Sequence, residues 1–264
     1  MALGQVEQQC ADNALPRPAL PRCDSFPSRN NARGFTLLDS AITLVIAGLL
    51  LQIVVTGQQM IHSARVRDVM AQQTAAEAAV IAFQDRYRAM PGDYAYASAN
   101  IACDPAPCLN GNGNGRVEPG TPGAIHEEIL VWQHLSAAGY LQVGYRMSGS
   151  GETSATTQNT PRNVFGGYLQ IAYDSNWGYS GNTTPRHNIK TGNQVPVGVL
   201  SEVDRKIDDG KPGTGRFQFS RYAGFGATPS AGGAAGACTN ADTPGAAWAI
   251  KADSTNCGAA TLLY

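Results

Sequence analysis

The run Phe35-Thr-Leu-Leu-Asp39-Ser-Ala-Ile-Thr-Leu-Val-Ile-Ala-Gly-Leu-Leu-Leu-Gln52-Ile-Val-Val-Thr-Gly57 decides how the rest of the chain is read. About 20 of its residues form a nearly continuous apolar stretch, enough for a helix to cross a hydrocarbon layer of roughly 30 Å. Arg29 and Arg33 stand just before it, and no Lys or Arg follows until Arg65. Lys and Arg concentrate on the cytoplasmic flank of a membrane span. The asymmetry therefore places the N-terminus in the cytoplasm and the remainder across the membrane.

The helical pattern continues past the apolar run. Val66, Val69, Met70, Gln73, Ala76, Val80, Phe83 and Tyr87 recur at steps of three and four, with Arg65, Arg67, Asp68, Gln72, Glu77, Gln84 and Arg88 mostly between them. That spacing predicts an amphipathic helix with one apolar face, and Pro91-Gly92 supplies its stop. Residues 35–89 then read as one helix about 80 Å long at 1.5 Å per residue. Its first half is apolar all round and suits lipid or sister helices. Its second half is apolar on one side and suits a head domain of the same chain.

Upstream, an ordinary secretory signal would place a small-residue cleavage site after the apolar run. The sequence there is Thr56-Gly57-Gln58-Gln59-Met60, which offers no such site. The informative residues lie before the run. Arg33-Gly34-Phe35-Thr36-Leu37-Leu38-Asp39 resembles the cleavage and methylation motif of type IV prepilins and type II secretion pseudopilins. The resemblance implies cleavage between Gly34 and Phe35 on the cytoplasmic face, N-methylation of Phe35, and a leader of residues 1–34. That leader carries four Arg against three acidic residues. It also implies that Asp39, at the fifth mature position, pairs with the free amine of a neighbouring subunit. The family usually has Glu there, so this chain keeps the charge on a side chain one methylene shorter. A carboxylate at the centre of a membrane helix costs about 2.5–3.5 kcal/mol, which calls for such a partner. The competing reading is an interfacial, solvated Asp.

After Met90 the composition turns to Gly, Ala, Ser, Thr and Asn. Ile125-His-Glu-Glu-Ile-Leu-Val-Trp132-Gln-His134-Leu135-Ser-Ala-Ala-Gly139 reads as a short helix with acidic residues in its first turn. Residues 201–208 read as another, closed by the turn at Asp209-Gly210. Residues 168–173 and 216–222 read as strands. The expected fold is α+β and pilin-like: a long N-terminal helix (35–90) on a small antiparallel-sheet head (91–264). Phe83…Tyr87…Pro91-Gly92-Asp93, the Asn/Gly loop, Trp132-Gln-His134-Leu135…Ala138-Gly139-Tyr140 and Asp204-Arg-Lys-Ile-Asp-Asp-Gly210 also resemble the heads of prepilin-like proteins. So does the Cys238 and Cys257 pair.

The six cysteines form no CxxC or Cys/His cluster of the kind a zinc site needs. Cys103 with Cys108, and Cys238 with Cys257, fall as local pairs suited to disulfides in an oxidising compartment. Cys10 and Cys23 would leave with the leader. Nineteen Lys+Arg against 20 Asp+Glu leave no basic footprint for nucleic acid.

Asn110-Gly-Asn112-Gly-Asn114-Gly115 spaces three amide oxygens as a calcium (Ca2+) loop would, with Glu118, Glu127 or Glu128 to complete it. All three positions are neutral, however, and Thr121 stands where Glu belongs, so a plain turn is the stronger reading. The acids Asp204, Asp208 and Asp209 read as a solvated or salt-bridged surface. His126-Glu127-Glu128-Ile129-Leu130 lacks the second His of a zinc protease, and no other enzymatic constellation is present. Tyr94, Tyr96, Tyr168, Tyr173, Trp177 and Tyr179 read as core and cross-strand packing ahead of a sugar platform.

The expectation is therefore a non-enzymatic subunit of a type IV pilus or secretion pseudopilus, single-pass in the inner membrane. Its partners would be a prepilin peptidase/N-methyltransferase, sister subunits, an assembly platform and membrane lipid. A filament-tip adhesin is the alternative.

Overall fold

The computed structural model describes residues 36–104, 107–120, 124–147, 149 and 151–263. Packing divides the chain after Leu51. Helix α1 spans Leu37–Tyr87 and belongs to both parts. Among the described residues it is the one helix long and apolar enough to cross a membrane. Within residues 37–51 every side chain is exposed, Leu37 to 92% and Leu44 to 73%.

From residue 52 onward α1 is part of the head. Val66, Val69, Gln73, Ala76, Val80 and Phe83 are its buried face, repeating at three and four as the sequence predicts. Ala76, Val80 and Phe83 pack with Trp132, Leu135, Ile171, Ile189 and Leu263. Val66 and Val69 pack with Val199, Leu200, Phe217, Phe219, Trp248 and Ala259. Gln73 is the polar residue in this stripe, and its Oε1 accepts a hydrogen bond from Thr261 Oγ1 at 2.9 Å. That bond keeps both buried groups satisfied.

The sheet has four antiparallel strands, β1 (Gln170–Asp174), β2 (Arg186–Lys190), β3 (Phe217–Phe219) and β4 (Ala259–Leu262). Their spatial order is β1-β2-β4-β3. β4, last in the sequence, is therefore central, with Ile189 and Phe217 both paired to Thr261. Short helices α2 (Ala97–Asn100), α3 (Glu127–Ala137) and α4 (Val197–Ile207) complete the head.

The expected elements hold with shifted bounds. α3 is two residues shorter at each end than residues 125–139. α4 begins at Val197 instead of 201, because Pro196, fixed near φ −60°, precedes its first turn. β2 and β4 are strands that sequence patterning does not predict. Both disulfides are present, Cys103–Cys108 with Cα atoms 5.1 Å apart and Cys238–Cys257 with 5.6 Å.

α1 ends at Tyr87, earlier than Pro91-Gly92 alone requires. Arg88 adopts φ 55°, and its N–H bonds to Gln84 O at 2.8 Å. A non-glycine residue holding this left-handed closing position carries strain of about 1 kcal/mol. The exposed Arg88→Gly substitution is expected to stabilise the head by roughly 0.5–1 kcal/mol, measured by urea denaturation. Destabilisation would mean that the Arg88 side chain makes a contact worth more than the strain.

Candidate functional site

Two places carry charge that the fold must account for: the start of α1 and the loops of the head. At the start of α1, Asp39 lies in the first helical turn. Its backbone N–H meets Thr36 O at 3.0 Å and Thr36 Oγ1 at 3.2 Å. Thr36 thus caps the helix. A carboxylate three residues on is favoured there by the partial positive charge of the helix N-terminus. Thr43 Oγ1 bonds back to Asp39 O at 3.1 Å. Asp39 is exposed among apolar side chains. Gly34 and Phe35, the expected cleavage pair, lie outside the described residues.

In the head, sequence fragments far apart in the chain meet around three buried side chains. Asp93 Oδ1 accepts from Asn114 N–H at 2.9 Å and Oδ2 from Gly115 N–H at 2.8 Å. Glu127 Oε1 accepts from Asn112 N–H at 2.9 Å, and Oε2 from Glu118 N–H at 3.2 Å. His134 Nδ1 accepts from Gly92 N–H at 2.9 Å, which leaves the proton on Nε2 to donate to Leu109 O at 2.9 Å. Pro91-Gly92-Asp93, the Asn/Gly loop and α3 are thereby one knot. Glycine is required at 111, where a Cβ would collide with the Asp93 backbone. It is also required at 92, where φ is 90° and a Cβ would lie 2.6 Å from Glu127 O.

Burial dominates the electrostatics of this knot. Desolvation pushes the Glu127 carboxyl up to about 7, against its two N–H donors, with Asp93 and Glu118 adding like charge. Asp93 is raised for the same first reason. Desolvation lowers His134 to about 4, and only the bond to Leu109 O works the other way.

The three amide oxygens of the calcium-loop expectation accept backbone N–H bonds. Asn110 Oδ1 takes Ser98 N–H at 2.8 Å, Asn112 Oδ1 takes Asn114 N–H at 2.9 Å, and Asn114 Oδ1 takes Arg116 N–H at 2.8 Å. Of the acids proposed to complete that loop, Glu118 accepts from Asn114 Nδ2 at 2.9 Å and Glu127 holds the loop backbone as above. Glu128 turns to His126 at 2.9 Å.

Asp204, Asp208 and Asp209 bring their ligand atoms within 4.8 Å of one another. Each closes the following turn instead. Asp204 accepts from Trp248 Nε1 at 2.6 Å and Gly210 N–H at 3.1 Å. Asp208 accepts from Phe217 N–H at 2.7 Å, and Asp209 from Lys211 N–H at 2.8 Å. Burial raises Asp204 to about 6.

The aromatic residues divide among separate stacks. Tyr94 meets Tyr87 and Tyr96, Tyr168 meets Phe225, and Tyr173 meets His187. A cleft of about 180 Å³ beside α1, lined by Gln72, Ala76, Trp132, Tyr145 and Leu169 among others, contains no carboxylate, cysteine or histidine. The acids considered as metal ligands in the head thus hold loops and turns, and among the described residues the contacts of Asp39 are with its own helix end. Sequence reasoning named Asp93 and His134 as fragments without a role. Their signal is the pairing of buried polar residues with glycine-rich loops.

No family model, no curated protein and no solved structure matches this chain.

His134 makes acid sensitivity testable. Its folded value lies below the ordinary 6.5, so its contribution to stability is complete above about pH 6.5. That contribution is lost as pH falls toward 4, on the order of 3 kcal/mol over the range. A His134→Gln head is expected to be less stable at pH 7 and to lose less on acidification, read as Tm against pH. Parallel profiles for the two proteins would remove His134 from the account.

Proposed function

We propose that this chain is a pilin-like structural subunit. In this reading a prepilin peptidase removes residues 1–34, the first half of α1 holds the chain in the inner membrane, and the same segment then packs among sister helices in a filament. The filament is a type IV pilus or a secretion pseudopilus, and the head lies on the periplasmic or outer side. The observation that carries the reading is the single carboxylate, Asp39, in the first turn of a helix whose first half is apolar and exposed. The second half of that helix is the spine of a small antiparallel-sheet head.

Physical chemistry gives the pairing its logic. A carboxylate within an apolar span is costly until a cation reaches it. Cleavage after Gly34 would create one, the α-amine of Phe35, only on processed chains. Assembly would then be coupled to processing, because an uncut chain offers no amine to its neighbour. The disulfides at Cys103–Cys108 and Cys238–Cys257 fit a head that matures in an oxidising compartment.

Capping and charge pairing separate by substitution. Asp39→Asn keeps a polar side chain near the helix end but removes the charge, whereas Asp39→Glu keeps the charge. Asp39→Asn and Asp39→Ala are expected to insert in the membrane normally and to enter filaments at least tenfold less, while Asp39→Glu enters at or above the wild-type level. Immunoblots of membrane and sheared-filament fractions read both. Equal incorporation of all three variants would contradict the pairing.

A further inference from the structure

The head holds a charge that neither its loop knots nor the filament reading uses. Lys190 on β2 is wholly buried, at 0% exposure, while its partner Asp174 on β1 keeps 29% of its side chain in solvent. The Lys190 ammonium donates to Asp174 Oδ2 and to Gln170 Oε1, the latter at 2.8 Å. Nζ lies 5.5 Å from the centre of the Tyr222 ring. Glu128 is the other carboxylate within electrostatic reach. Its Oε1 is 2.9 Å from His126, and its buried Oε2 has no hydrogen-bond partner among the described residues.

Burial lowers the Lys190 ammonium from its ordinary value, against the pull of Asp174 and then Glu128. Desolvation of this kind is what turns a lysine into a nucleophile. The other oxygen of the carboxyl it touches is held as well. Asp174 Oδ1 accepts from Asn188 Nδ2 at 3.0 Å and from Asn176 N–H at 3.1 Å. These two donors are aimed at the oxygen on which charge would collect if the carboxyl carbon were attacked.

We propose that Lys190 and Asp174 join in an intramolecular isopeptide bond between β2 and β1. A proton passes from Nζ to Oδ2, leaving a neutral amine and a carboxylic acid. Nζ attacks Cγ, and the electron pair of the C=O bond moves to Oδ1 under the Asn188 and Asn176 donors. A second Nζ proton passes to Oδ2, the Cγ–Oδ2 bond breaks, and water leaves through the exposed side of Asp174. Oδ1 returns to a carbonyl and the Cγ–Nζ amide remains. One ammonium and one carboxylate become one amide and one water, with no oxidant or other reactant. The bond ties the edge strand β1 to its neighbour and replaces a buried ammonium, whose desolvation is expensive, with a neutral group. It depends only on the folded head, independently of filament assembly.

The test is mass spectrometry on the full chain purified in detergent. The wild-type chain is expected to be one water lighter than the mass calculated for the N-terminus it carries and two disulfides, and digestion is expected to yield a branched peptide joining Lys190 to Asp174. The Lys190→Arg chain, which keeps the charge but not the nucleophile, should show its full mass. A wild-type chain at full mass with linear peptides overturns the proposal. So does a loss of water that persists in Lys190→Arg. The wild-type measurement decides alone if the variant does not fold.

Discussion

The structure of the head depends on one apolar stripe. Val66, Val69, Ala76, Val80 and Phe83 lie on a single side of α1 and must be covered. The cover is a sheet of four short strands that could not stand alone in water. Helix and sheet therefore stabilise each other. The stripe serves two clusters, an upper one around Phe83, Trp132 and Ile171 and a lower one around Val66, Leu200 and Phe217. Because β4 is central yet last in sequence, the sheet closes only when the C-terminal segment arrives. Cys257 lies two residues before it, in the disulfide with Cys238 and bridged to Val195.

Much of the head is glycine-rich loop, which pays a large entropy cost on ordering. Buried acceptors offset it. Asp93 binds two backbone N–H groups of the Asn/Gly loop, and Glu127 binds one there and that of Glu118 just beyond it. After α4, buried Asp204 and half-buried Asp208 accept from the backbone N–H groups of Gly210 and Phe217, and exposed Asp209 from that of Lys211. Clusters of acids and amides at metal-like spacing thus have a structural use here: most of their oxygens accept backbone N–H groups of loops and turns. His134 joins the system as a neutral imidazole, accepting on one nitrogen and donating on the other.

The sequence made the long helix legible because its pattern changes from apolar all round to apolar at three and four, a signal spread over many residues. Its end was less legible. Pro91-Gly92 marks where helix cannot continue, but Arg88 turns the chain a few residues sooner. β1 and β3 were found through aromatic and β-branched residues. β2 and β4 were not. Arg186-His-Asn-Ile-Lys reads as polar surface because its Asn188 and Lys190 are buried through partners on β1. Ala259-Ala-Thr-Leu is small because it lies in the middle of the sheet against α1. Asp39 stood out as a charge in an apolar run, whereas the knot of Asp93, Glu127 and His134 is assembled from distant residues and emerges only in three dimensions.

The central claim is that the chain is cut before its apolar run and assembles through it. Intact-mass and N-terminal peptide analysis of protein from membranes and sheared surface material tests this most directly. The account predicts a chain beginning at N-methylated Phe35. An uncut N-terminus, or one created after the apolar run, would contradict it.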